Sequence, residues 1–345
     1  MNVHFRAGDF EYQLPPDRIA QEPPPERTAG RLLVLDRASG AVSHRRFTDL
    51  LDLLAPEDVL VVNTTRVIPA RLHGTRERGG PAELLLVYEE PGGTWIAMGH
   101  PGGKLKPGRR VAIAEDSEVE ILEPLGGGLR RLRFVGKLDA RATLRKYGAV
   151  PLPPYIHRPP RASDRERYQT VFAEHEGSVA APTAGLHFSR ELLDRVAAKG
   201  TAIARLRLHV GPGTFKPVEV EELAAHRVLP EPFAISAEAA ALINARRAAG
   251  GRVWAVGTTV VRTLETVADP RGVVHAGSGE TGLFIYPPYQ FRVVDRLLTN
   301  FHLPRSSLLM LVCAFGGYEP VIRAYSEAIR EKYRFYSYGD AMAVI

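Results

Sequence analysis

The chain has 345 residues, 45% hydrophobic and 24% charged, enough for about two globular domains and unlike a disordered tail, a fibrous repeat or a small disulfide scaffold. Its 45 Lys and Arg against 39 Asp and Glu leave a net charge of +6 and a pI near 9.4, compatible with a polyanionic partner without requiring one. Cys313 is the single cysteine, residues 1–10 lack the cationic lead and apolar run of a signal peptide, and the longest apolar stretch, 307–315, is too short to span a bilayer; internal disulfides and cysteine zinc sites are excluded, and a cytoplasmic protein is expected.

After an opening rich in proline, residues 31–36 (RLLVLD) read as a strand, Ser39 and Gly40 as a turn, 47–54 as a helix stopped by Pro56, and 59–62 as a short buried strand. Between about Arg71 and Gly148 the pattern changes to short alternating segments, 83–88, 94–98, 110–114, 119–122 and 129–135, separated by glycine and proline turns. That spacing predicts an all-β module, a small barrel. Past the prolines of 151–160 the earlier pattern returns, with helices at 189–199, 236–249 and 319–332 alternating with strands at 202–210, 252–256 and 283–285. The expected class is therefore α/β with α+β character: residues 1–68 and 150–345 form one discontinuous domain, and 69–149 are an inserted β-barrel.

Five segments carry chemistry. In RVWAVGTTVVRTLE (252–265) a strand runs into Gly257, and Thr258 and Thr259 begin a helix. Unpaired backbone N–H groups there can hold a carboxylate, ribose or phosphate, with Arg262 and Glu265 one turn further on; a capped helix with solvent-facing charges is the alternative. In LRLHVGPGTFK (206–216) a strand carrying His209 feeds a loop in which Gly211, Gly213 and Thr214 allow close backbone approach. The loop lacks the helix and Lys-Ser/Thr ending of a P-loop, and an ordinary tight turn is its bland reading. SVAAPTAGLHFS (178–189) places Thr183, Gly185 and His187 before a helix cap, where His187 is either an acid–base group or a structural hydrogen-bond partner. Asn300 and His302 interrupt the apolar 297–310, so each is paired in the fold or aimed at a ligand. Asn63 and Arg66 follow the buried strand at 59–62, Arg66 as a carboxylate or phosphate clamp. His175-Glu176 lacks the second histidine of a zinc-protease helix. Basic residues concentrate at Arg131, Arg133, Arg145, Lys146, Arg158 and Arg161, with tyrosines nearby on which bases can stack; a solvated charged surface is the alternative.

In this order, YQLPPDRIAQ, LVVNTTRVIPARL, GHPGGKLKPG, SVAAPTAGLHFS, LHVGPGTFKPV, VGTTVVRTLE, FIYPPYQFRVVDRLLTNFHLPRSSLLMLV and EKYRFYSYGDAM resemble the S-adenosylmethionine:tRNA ribosyltransferase-isomerase family of the queuosine pathway. The resemblance implies a curved mixed sheet with flanking helices and an inserted β-barrel. It also implies an activity: transfer and isomerisation of the ribosyl unit of S-adenosylmethionine onto 7-aminomethyl-7-deazaguanine at the wobble position of tRNAs with GUN anticodons. The product is epoxyqueuosine-tRNA, with adenine and methionine released. No metal or redox cofactor is expected, and a monomer is. One departure concerns the family pattern HxxHxE, where this chain has His226, Leu229 and Glu231, which puts a catalytic role for that position in doubt.

Such chemistry needs a base to remove a proton beside the sulfonium and a donor to help adenine leave. His187 is the leading expectation, with Thr183, His209 and His302 beside it. Asn63, Arg66, Gly185, Gly211, Gly213, Thr214, Thr258, Thr259, Arg262, Glu265 and Asn300 are expected to hold substrate, and the basic run from Arg131 to Arg161 to hold tRNA. Two rivals differ by class. A small-molecule ribosyl or methyl transferase binds no RNA, and a non-catalytic RNA-binding protein leaves S-adenosylmethionine unconsumed.

Overall fold

The computed structural model describes residues 4–215 and 217–345; Lys216, the last residue of the glycine loop motif, lies outside them, as do residues 1–3 of the N-terminal segment. In chain order, β1 (Arg31–Leu35) and β2 (Val42–Arg46) form a hairpin, α1 (Leu50–Leu53) follows a 3-10 turn, and β3 (Val59–Asn63) leads into β4 (Thr65–Val67). Six strands come next: β5 (Arg71–Arg76), β6 (Pro81–Glu89), β7 (Trp95–His100), β8 (Arg110–Ala114), β9 (Ser117–Gly126) and β10 (Leu129–Phe134). After α2 (Ala140–Tyr147) and α3 (Asp164–Arg167), β11 (His175–Ser178) pairs with β4. The remaining elements are α4 (Arg190–Ala198), β12 (Ala202–Leu208), β13 (Glu231–Ile235), α5 (Ala237–Ala248), β14 (Val253–Val256), α6 (Thr258–Val267), β15 (Gly277–Thr281), β16 (Arg296–Asn300), α7 (Ser307–Gly316), α8 (Tyr318–Arg330) and β17 (Ala341–Val344).

Nine strands make one mixed sheet in the order β15-β13-β12-β3-β14-β16-β17-β1-β2. Its middle is dictated by alternation, because successive side chains of a strand point to opposite faces and both faces here are covered. Val59 and Val61 of β3 pack with Val253 and Ala255 of β14 under α5 to α8. Leu60 and Val62, with Trp254 and Val256, pack on the other face against Phe47, Phe188, Leu192 and Val196. Each of these hydrophobic strands is thus split between two cores. Helices α4, α5 and α7 start on Ser189, Ser236 and Ser306, whose hydroxyls accept the N–H three residues on.

The strands from Arg71 to Phe134 close into an antiparallel barrel, β10-β7-β6-β5-β8-β9, filled by Leu84, Leu86, Val111, Ile121 and Leu132. The chain enters and leaves it side by side, the Arg71 N–H donating to the Ala149 carbonyl (3.1 Å) and the Ala149 N–H to that of Arg71 (2.8 Å). No single helix among the described residues is long and apolar enough to cross a membrane.

Two readings shift. Residues 283–285 are not a strand, since the Leu283 carbonyl accepts from Arg262 instead of a ladder partner (2.9 Å); the strand beside β13 is the polar Gly277–Thr281. Arg158, expected on an RNA-binding face, is folded inward, gripping Asp164 at 2.7 and 2.8 Å. Asp164 also accepts from the Arg161 N–H (2.7 Å) and the Tyr338 hydroxyl (2.9 Å). Burial pushes its pKa up, but these donors and the Arg158 charge outweigh that and hold it below the usual carboxylate range. Asp164→Ala strips the largely buried Arg158 guanidinium of its bidentate partner and the Arg161 N–H and Tyr338 hydroxyl of their acceptor, leaving Arg158 only the half-exposed Glu22 (2.9 Å), and should cost about 2–4 kcal/mol. Arg161→Ala, whose ion pair with Glu22 (3.0 Å) is exposed, should cost under about 1 kcal/mol. Urea denaturation of the two variants decides it, and equal losses would contradict this assignment.

Candidate active site

Strands β12, β3, β14 and β16 are neighbours and parallel, so their carboxyl ends lie along one edge of the sheet, where polar ligands are held in such folds. This edge gathers Asn63, the 209–214 segment, Thr258 and Thr259, and Asn300 with His302. It opens into two cavities. The larger, about 690 Å³, lies between the sheet edge and the barrel. One wall carries His209, Gly211, Gly213, Thr214, Glu231 and Arg262; the opposite wall carries Tyr88, Trp95, Met98, Arg141 and Arg145. The smaller, about 50 Å³, lies at the start of α6 and is lined by Thr183, Thr258, Thr259, Asn300 and His302 among others. Val210, Thr214 and Leu308 border both.

The wall is built on one ion pair. Arg262 and Glu231 are both buried and joined side chain to side chain. Arg262 also donates to the carbonyls of Leu283 (2.9 Å) and Thr281 (3.1 Å). Glu231 accepts the Gly211 N–H at 2.7 Å, which fixes the exit of β12. Beyond it the chain turns through residues 212–215, and a Cβ placed on Gly213 would meet no atom of the described residues within 4 Å. Gly257 differs: its φ of 91° is the left-handed turn by which β14 enters α6.

The three candidate histidines differ sharply. His209 is half-buried on the cleft wall, with Nδ1 2.7 Å from the Thr65 hydroxyl and no protein partner for Nε2 among the described residues. Burial, then the charges of Arg207 and His175, push its pKa down to about 4. Gly177 backs its ring so closely that a Cβ would come within 2.8 Å. His302 is buried at the small cavity, paired with Thr299 at 2.7 Å, and its pKa falls to about 3 through burial. His187 lines neither cavity: it stacks on Phe47, lies 3.2 Å from the Asn300 amide, and is pushed to about 3 by burial and then by Arg334.

The other expected residues separate in the same way. Asn63 is fully engaged inside the fold, with bonds to Leu208, Thr65 and Thr259. Glu265 accepts three backbone N–H groups, from Arg292, Val293 and Val294. Gly185 makes room for Phe172 and Thr170, and Arg66 is exposed away from both cavities. Of the basic residues, Arg131 pairs with Glu90 and Glu123, Arg133 with Glu120, Lys146 with Asp116, and Arg158 and Arg161 with the acids named above. Arg145 alone of the six stands on the cleft rim without a carboxylate partner among the described residues. Of the barrel wall, sequence reasoning reached only the basic rim, through Arg145, and missed the aromatic part. Trp95, Tyr88 and Arg141 belong to the wall, and the Trp95 indole N–H is buried with no partner among the described residues. Their place shows only in the folded chain, where Tyr88, together with Val220 and Leu229 from outside the barrel, stands exposed on the cleft.

A queuosine biosynthesis protein family model matches residues 7–344. The S-adenosylmethionine:tRNA ribosyltransferase-isomerase of Symbiobacterium thermophilum is 52% identical over 343 residues, covering 99% of this chain and 100% of its own. That of Moorella thermoacetica is 51% identical over 345 residues, with 99% and 100% covered. A crystal structure of S-adenosylmethionine tRNA ribosyltransferase from Thermotoga maritima is similar over 98% of this chain and 100% of that one, at 37% identity and a TM-score of 0.56.

His187 and His302 stay neutral in the folded protein down to about pH 3, whereas the unfolded chain protonates them near 6.5. The unfolded state thus binds more protons between those values, so stability is complete above pH 6.5 and falls as pH drops through that window. At pH 5 each should cost about 2 kcal/mol relative to pH 7. Melting curves at the two values check this, and an unchanged midpoint would contradict it.

Proposed function

The chain belongs to the queuosine biosynthesis protein family, and we propose that the cleft between sheet edge and barrel is where it acts as an S-adenosylmethionine:tRNA ribosyltransferase-isomerase. The enzyme is a transferase with S-adenosylmethionine and tRNA as substrates. What supports this most is unbroken likeness at about half identity, from one end of the chain to the other, to enzymes bearing that name. In this reading the ribosyl unit passes to 7-aminomethyl-7-deazaguanine in tRNAs with GUN anticodons. Epoxyqueuosine-tRNA, adenine and methionine leave, without a resident metal or redox group, and the enzyme works as a cytoplasmic monomer.

Within the cleft we assign the base to His209 rather than His187. A base must reach substrate and be unprotonated at working pH. His209 lines the cleft, has no partner for Nε2 among the described residues and has its pKa pushed down to about 4, while Thr65 orients the ring through Nδ1. Arg262, tied up by Glu231 and two carbonyls, shapes the wall and is not a free anion clamp. The RNA approaches along the rim that carries Arg141, Arg145 and Arg227.

The test is to incubate the protein with S-adenosylmethionine and tRNA carrying the aminomethyl-deazaguanine base, following adenine release and nucleoside mass. Adenine without RNA modification would point to a small-molecule acceptor; retained tRNA binding with no turnover would point to a binding protein. His209→Gln should lower kcat by about 10²–10⁴ with a native melting curve, and the wild-type acid limb should lie near pH 4 rather than 6.5. A variant with full turnover would remove His209 from the chemistry. Arg141 is paired with Glu89 (3.2 Å), so the two rim cations without a carboxylate partner among the described residues, Arg145 and Arg227, give an expected slope of roughly −1.5 to −2 for log affinity of tRNA against log salt. Arg145→Ala should make it shallower by about one, and a slope that ignores the substitution would move the RNA elsewhere.

A further inference from the structure

The barrel wall of the cleft carries an aromatic ring that the barrel has turned out of its own core. Along β6 the side chains of Ala82, Leu84 and Leu86 point inward and are buried, and by alternation Tyr88 would follow them. A β-bulge intervenes: the pairing with β7 shifts from Leu86 opposite Ala97 to Tyr88 opposite Ile96, and an extra residue in one strand re-aims the side chain that follows. Tyr88 ends 46% exposed, on the cleft. Among the described residues its ring meets no other aromatic ring and its hydroxyl has no hydrogen-bond partner. Burial of a tyrosine ring is strongly favourable and a core was within reach, so packing alone gives no account of this placement.

Of the five large apolar side chains exposed among the described residues, three, Tyr88, Val220 and Leu229, line this one cleft, and such a gathering marks a binding surface. Because Tyr88 comes from the barrel and Val220 and Leu229 from the chain leading into β13, these groups line an opening rather than one flat face. That suits a flat ring entering between them better than the convex surface of a protein. Arg145 and Arg227 line the same cleft without a carboxylate partner among the described residues, and match the phosphates that flank such a ring in a nucleic acid. A nucleotide enters a cleft only by leaving the stack of its neighbours in the loop, which costs stacking free energy. A protein ring in the vacated place offsets that cost, and does so whatever the neighbouring base is, because every base has a π-face.

We propose that Tyr88 is the stacking platform for the unpaired RNA base next to the modified nucleotide, filling the place from which that nucleotide is drawn into the cleft. The inference rests on tRNA entering this cleft. The test measures binding of a synthetic anticodon stem-loop to the whole protein, with the intact RNA and with three versions that each lack one base, at the modified position and at its 5′ and 3′ neighbours. Tyr88→Ala, its fold checked by a melting curve, should bind the intact RNA about 5- to 100-fold more weakly, and Tyr88→Phe should bind it like the wild type. The loss should leave the slope of log affinity against log salt unchanged, unlike that of Arg145→Ala, because no phosphate contact is removed. Removing one of the two neighbouring bases should weaken the wild type by a similar factor and weaken Tyr88→Ala no further. Undiminished affinity in Tyr88→Ala, or a loss that adds in full to those of both neighbours, would overturn the platform. So would non-additivity at the modified position alone, which would set the reactive base itself on the ring, or a raised KM for S-adenosylmethionine with RNA affinity intact, which would give the ring to that substrate. A wild type that fails to bind the intact RNA would overturn the reading of the cleft, and the platform with it.

Discussion

The ion pair between Glu231 and Arg262 is the point on which the functional face depends. One carboxylate, at the first residue of β13, holds the exit of β12 through the Gly211 N–H, and the guanidinium of α6 reaches on to the chain beyond β15. Four separate segments are thereby placed relative to one another by two buried side chains. Removing either partner leaves a charge stranded in a dry environment, which is far more costly than never having buried the pair. The glycine-rich turn can therefore be open on its cleft side without being loose at its root.

Around that point the polar side chains divide into those that make the wall and those that face the space. Asn63 and Glu265 spend their hydrogen-bonding capacity on backbone groups and a threonine. His209, Gly213 and Thr258 do not. Hydrogen-bond saturation, more than residue type, separates scaffold from site, and the two kinds alternate along the same sheet edge because parallel strands bring all of their ends there together. The barrel supplies a wall of different character, aromatic and apolar, with arginines confined to its rim.

Much of the fold was legible. Strands 31–36, 59–62 and 252–256 stand out because both faces of each are buried, and the helices of α4, α5 and α8 because serine or glycine marks their starts and one face of each is apolar. Residues 341–344 escaped notice, since two of four are alanine, a weak strand former, and their strand forms only by lying between β16 and β1. Gly277–Thr281 has no apolar side chain and is held by pairing with β13 and by the bonds of Thr281 to Arg262 and Thr266 of α6. At the site, sequence reasoning named the right segments, but orientation was out of its reach: nothing in the sequence says that His187 turns onto Phe47 while His209 faces the cleft. Leu229, met first as a departure from a family pattern, stands exposed on the cleft wall, where no hydrogen-bonding network depends on its being histidine.

The position of β17 has a kinetic consequence. The β1–β2 hairpin joins the sheet only through β17, and a bond such as that from the Arg31 N–H to Asp340 closes a loop of 309 residues. Pairings of such separation form late, because chain entropy must be lost before the contacts that compensate it exist. While the ribosome extends the chain, the hairpin is made early and waits with an unpaired edge, a state in which exposed backbone invites misassociation. The barrel, whose strands pair mostly with near neighbours in sequence, has no such delay. Synthesis should therefore run through a stage in which a finished barrel hangs from an unfinished sheet.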